Sequence, residues 1–173
     1  MTKAQVTIEF LTYSIIFLIA MGVMLAIIVL LGNDQIQLQK YNVVKGLTKE
    51  IASSLVFTLS MAENFEYKIN IDRNINGQPY LIYLKKSSSA SPLRGKGVVV
   101  VQVGDVVDDS NALSYSVVIP AADFVAGRNV DLYSSPTYTG VYINTSKIDG
   151  TSIKGVIVFT SSTLPGKIEV SLE

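Results

Sequence analysis

From Phe10 to Leu31 the chain runs 22 residues without a charged side chain. As a helix rising about 1.5 Å per residue, such a run is roughly 33 Å long, the thickness of a bilayer's hydrocarbon core. Only Met1 to Glu9 precede it, too short a head for a transit peptide and without the strongly basic start of a secretory signal. No A-x-A-like cleavage site follows it. The run therefore reads as a membrane-spanning helix that stays with the protein.

Beyond it the pattern changes. Val44, Leu47, Ile51, Leu55, Leu59 and Ala62 recur every three or four residues from Gln35 to Glu63, with Lys45, Lys49, Glu50 and Ser53 between them. This spacing predicts an amphipathic helix. Proline is absent from Met1 through Gln78, so only Gly22 and the Gly32-Asn33-Asp34 step interrupt one long helix. A kink or a short melted turn is expected at Gly32.

After Asn64 the chain turns to alternating, β-branched segments punctuated by Gly, Pro, Asn and Ser. Eight strands are predicted, at Tyr67–Ile71, Tyr80–Leu84, Gly97–Val103, Tyr115–Ile119, Val130–Tyr133, Gly140–Ile143, Gly155–Thr160 and Lys167–Leu172. Asn76-Gly77 is a turn dipeptide, and Val98-Val99-Val100-Val101 reads as a strand covered on both faces. The strands need a cover for their apolar faces and the helix needs one for its stripe, so the two are expected to pack together. The expected class is α+β: a long N-terminal hydrophobic, then amphipathic helix packed on a C-terminal antiparallel β-sandwich or β-barrel head.

Composition narrows the function. The chain has no cysteine and no histidine, which removes disulfides, thiolate and imidazole metal sites, thiol nucleophiles and His-based triads. There is no phosphate loop, no complete G-x-G-x-x-G, no G-x-S-x-G and no S-x-x-K; Gly95 and Gly97 give only a fragment of the second. Fourteen basic residues balance fourteen acidic ones, so nothing favours nucleic acid as a partner. A non-enzymatic role without metal or cofactor is expected.

One carboxylate, Glu9, stands at the edge of the apolar run, where a charge needs a partner. The segment Lys3-Ala4-Gln5-Val6-Thr7-Ile8-Glu9-Phe10-Leu11-Thr12-Tyr13 resembles the class III signal peptide of archaeal type IV pilins. It has a short basic leader, a small residue, Gln at the first mature position and Glu at the fifth. It departs from that pattern in carrying Thr7 where Ser is usual, and in the polarity of Thr12-Tyr13-Ser14 inside the span. Lys40, Lys45 and Lys49 beyond the span also outnumber Lys3, so a count of positive charges alone would place the C-terminal side in the cytoplasm.

The resemblance implies a division of the chain. Residues 1–4 would be a leader, 5–34 a transmembrane and filament-core helix, 35–63 an amphipathic continuation of the stem, and 64–173 an extracellular head. A prepilin peptidase would cut between Ala4 and Gln5, with Lys3 holding the leader in the cytoplasm. The freed α-amino group of Gln5 would then meet Glu9 of an adjacent subunit and fix the axial register. Phe10 and Leu11, with Val44, Leu47, Ile51, Leu55 and Leu59, would provide helix packing. The implied partners are further copies of the chain, a pilus assembly ATPase and a membrane platform protein. The precursor would sit in the cytoplasmic membrane and the product in an extracellular, adhesive filament. The alternative is a membrane-anchored monomer, a pseudopilin-like or stator-like extracellular binding protein.

Smaller features complete the reading. Asn144-Thr145-Ser146 is an N-glycosylation sequon in a predicted turn. Asp105, Asp108 and Asp109 lack the glycine and distal glutamate of a calcium loop and are expected to form a solvated acidic turn. Lys85 to Lys96 is a basic, serine-rich connector. Tyr80, Tyr83, Tyr115, Tyr133 and Tyr142 fall on predicted strands, where aromatic bulk packs well.

Overall fold

A computed structural model describes residues 3–88, 92–107, 109, 112–148, 154–162 and 166–173, with side chains in the first helix described from Ile8 onward. The chain divides into two compact units, residues 1–39 and 40–173.

One helix, α1 (Lys3–Ser60), supplies nearly all of the first unit and opens the second. It is helical through Gly32, Asn33 and Asp34, so the melted turn expected there is absent. A glycine in a helix costs only about 1 kcal/mol, and the helix formers on either side of Gly32 outweigh that.

The second unit is an α+β layout. Strands β1 (Glu66–Asp72), β8 (Lys154–Ser161), β9 (Lys167–Leu172) and β5 (Asp123–Ala126) form one sheet in the order β1-β8-β9-β5. Strands β4 (Ser114–Ile119), β3 (Gly97–Val103), β2 (Tyr80–Ser87), β7 (Tyr138–Asn144) and β6 (Asp131–Ser134) form the other in the order β4-β3-β2-β7-β6. The eight predicted strands are all present, with bounds shifted by a few residues. The ninth, β5, was not expected, and it pairs parallel to β9 while every other pairing is antiparallel. The head is thus mostly, not wholly, antiparallel.

Alternation sorts the side chains. Ile69, Ile71, Ile157, Phe159, Ile168 and Val170 of the first sheet share one core with Ile82, Leu84, Val99, Val101, Val141 and Ile143 of the second. Val44, Ile51, Ala52 and Leu55 of α1 enter the same core, with Leu47 and Leu59 partly buried against it. Thr48, Ser54 and Thr58 lie on that buried stripe too. Each donates its hydroxyl to a carbonyl one turn back, on Val44, Glu50 and Ser54 respectively, at 2.7, 2.9 and 2.8 Å. Burial therefore leaves none of these three hydroxyls unpaired.

The helix stops at Ser60, short of the expected Glu63, and Ala62 is exposed. Asn64 takes a left-handed φ of 61° and its N–H donates to the Ser161 carbonyl at 3.0 Å. Ser161 Oγ donates to Ala62 O at 2.7 Å and accepts from Phe65 N at 2.9 Å, which ties the helix end to β8. Asn76 and Gly77, at φ 49° and 80°, make the tight turn their sequence predicts, closed by two hydrogen bonds between Ile75 and Gln78.

Candidate functional site

The first unit exposes what a water-soluble core would hide. Its large apolar side chains from Ile8 to Leu31 are between 49% and 73% exposed, with Met21 the least and Phe10 the most open. No polar face interrupts them, so the helix has no side that suits water. It is long and apolar enough to cross a membrane, with a mean hydropathy of 3.1 over its most apolar stretch.

The polar residues inside this run are managed locally. Thr12 Oγ1 donates to the Ile8 carbonyl at 2.8 Å, which satisfies the hydroxyl without a partner from outside the helix. Glu9 is exposed, and among the described residues no hydrogen bond or ion pair holds its carboxylate. Lys3, Ala4 and Gln5 lie in the first turn of α1, and their side chains fall outside the described ones, as do Met1 and Thr2.

The helix-packing residues separate into two groups. Phe10 and Leu11, 73% and 55% exposed, lie on the uncovered helix of the first unit. Val44, Ile51 and Leu55 are fully buried within the second unit, so their packing is used up inside the head. Two of the lysines that weigh against the inferred topology are also engaged there. Lys40 Nζ donates to Gln78 Oε1 at 3.2 Å, and the Lys45 ammonium lies 5.9 Å from both the Tyr41 and Tyr115 ring centres.

The outward face of the second sheet carries an aromatic cluster that spacing alone did not reveal. The Tyr83 ring meets Tyr133 edge-on at 5.5 Å and Tyr142 at 6.0 Å. Lys85 lies over both Tyr83 and Tyr133, at 4.0 and 3.9 Å from the ring centres. At its border Asp131 pairs with Lys147. Burial first and the Asp131 carboxylate second raise the Tyr142 phenol above its usual value, while the hydrogen bond to Asp131 raises Lys147.

Asn144 ends β7 half-buried, and its Oδ1 accepts from Ser146 N at 2.9 Å as the cap of a short 3-10 turn, Thr145–Lys147. Asp105 and Asp109 are exposed, and Asp108 lies outside the described residues. Among the described residues no three His, Cys, Asp or Glu side chains gather as a metal site would need. An open groove lined by Lys86, Asp123, Phe124, Leu132, Ser134 and Thr139 holds an ion pair, Lys86 to Asp123 at 2.5 Å. What distinguishes the chain is its uncovered helix. No protein-family model, no curated protein and no solved structure matches it.

Proposed function

We propose that the chain is the structural, non-catalytic subunit of an extracellular filament like the archaeal type IV pilus, serving surface attachment. One observation carries the reading: from Ile8 to Leu31 the large apolar side chains of α1 are all at least 49% exposed among the described residues. Lipid covers such a surface before assembly, and copies of the same helix cover it afterwards. Glu9 at the margin of that surface supports the same reading, since a carboxylate among apolar helices needs a cation.

In this scheme a prepilin peptidase removes residues 1–4 from the precursor in the cytoplasmic membrane. The amine of Gln5 then neutralises Glu9 of a neighbouring copy. An assembly ATPase and a membrane platform protein drive the extraction from lipid. The head, residues 64–173 with the buried stripe of α1, faces outward, and Asn144 is its glycan acceptor.

Electron microscopy of surface filaments together with mass analysis of the N-terminus tests the proposal. Filaments built of chains that begin at Gln5 are expected. A full-length chain found only as a single molecule in the membrane overturns the proposal and leaves the monomeric anchor.

A further inference from the structure

We infer that the two ends of β3 are the two halves of a contact between successive copies, in which the basic turn before the strand docks on the acidic, valine-bearing loop after it. This inference rests on the filament reading and adds a contact between heads to it.

The turn Leu93-Arg94-Gly95-Lys96 is tight. Lys96 N donates to Leu93 O at 3.1 Å, and Arg94 and Gly95 both hold left-handed φ angles, 44° and 78°. A side-chain-bearing residue in that region carries backbone strain, which surrounding structure must hold in place. Here Ser87 N donates to Lys96 O at 3.0 Å, anchoring the turn to β2. Arg94 and Lys96 are both exposed, beside exposed Pro92 and Pro120. The result is a fixed cationic knob with an apolar margin.

At the other end of β3 stand Asp105, Val106 and Val107, all exposed, the valines at 61% and 42%. This loop is pinned as well. Gln102 Nε2 donates to Val106 O at 2.9 Å, and Gly104 N donates to Pro79 O at 2.8 Å. Two neighbouring valines held out to water beside a carboxylate form an apolar patch with an anionic margin.

The two patches are complementary in charge and alike in apolar content, yet they cannot meet within one copy. Seven residues of β3 keep them about 20 Å apart at about 3.3 Å per residue. A contact between unlike patches of identical molecules is heterologous, and it repeats from copy to copy without limit unless it closes into a ring. The occupant of each patch is therefore a second copy of this chain.

The chain has no cysteine, so an engineered pair reports the contact cleanly. Pro92→Cys and Val106→Cys together, in the full-length protein in its native membrane and filaments, are treated with a bismaleimide too short to span β3. A ladder of dimers, trimers and higher species is expected from the double variant, and monomer alone from each single variant. Adding Arg94→Glu and Lys96→Glu is expected to reduce the ladder about tenfold, and a further Asp105→Lys to restore it. No ladder from the double variant, cross-linking by either single variant, or no loss on charge reversal overturns the contact. Filaments without a ladder remove the contact and leave the filament; a ladder without filaments does the reverse.

Discussion

Thr145 and Tyr80 are joined by one hydroxyl: Thr145 Oγ1 donates to the Tyr80 carbonyl and accepts from the Tyr80 N–H, both at 2.9 Å. Both residues are buried, so the hydroxyl takes the place of a ladder rung where the pairing of β2 with β7 ends at Leu81 and Asn144. Replacing Thr145 with Val keeps the shape and leaves two buried backbone groups unpaired. A loss of about 2 kcal/mol is expected in urea unfolding of the detergent-solubilised protein. An unchanged midpoint would mean that water reaches those groups.

The Tyr80 phenol donates to the Asp72 carbonyl oxygen at 2.6 Å, and burial first, then the Asp72 charge, raises its pKa above the ordinary 10.0. In the pH range just above 10 the unfolded chain gives up this proton and the folded chain keeps it. Stability therefore falls as pH climbs through that range, and it is fully present below it. Tyr80→Phe is expected to be less stable at neutral pH, by about 1 kcal/mol for the lost hydrogen bond, yet flatter in its pH dependence above 10. Parallel curves for the two proteins would count against the assignment.

The stripe of α1 inside the head separates two kinds of substitution. Leu55→Ala empties space at a fully buried position and is expected to cost about 2–5 kcal/mol. Val43→Ala, at a position 49% exposed on the same helix, is expected to change stability by less than about 0.5 kcal/mol. Thermal melts of the two variants side by side check the contrast.

Glu9→Ala tests the register proposal. Expression and removal of the leader should survive, because the change lies outside the segment that is cut. Removing one partner of a buried pair costs about 3 kcal/mol, on the order of a hundredfold in association, so filaments seen by electron microscopy should nearly vanish. Normal filament numbers would show that another contact sets the register.

Much of this architecture is legible in the sequence because the two periodicities are distinct. Val44, Ile51 and Leu55 repeat at helical spacing and are buried. Val99 and Val101 alternate with Val98 and Val100, and strand β3 buries side chains on both faces. Strand β5 escaped because Asp123–Ala126 is four residues long, follows Pro120-Ala121-Ala122, and turns only Phe124 and Ala126 toward the core. Its parallel partner β9 lies far along the chain, and no local pattern encodes such a pairing. The clasp of Thr145 on Tyr80 and the stacking of Lys85 on two tyrosines were hidden for the same reason, since both join residues that only the finished sheet brings together. The Glu9 motif, by contrast, is wholly local. Its reading stays a proposal, since the partner it calls for belongs to another molecule.

The order of the strands imposes a schedule on a chain emerging from the ribosome. The stripe of Val44, Ile51 and Leu55 is synthesised first, but the core it joins includes residues of β8 and β9, which are synthesised last. Strand β1 must likewise wait for β8, and β2 for β7. Pairings between such distant segments form slowly. Each newly made chain therefore passes through an interval in which a greasy helix face and unpaired strand edges are open to wrong partners, and its yield in the cell depends on how well that interval is guarded.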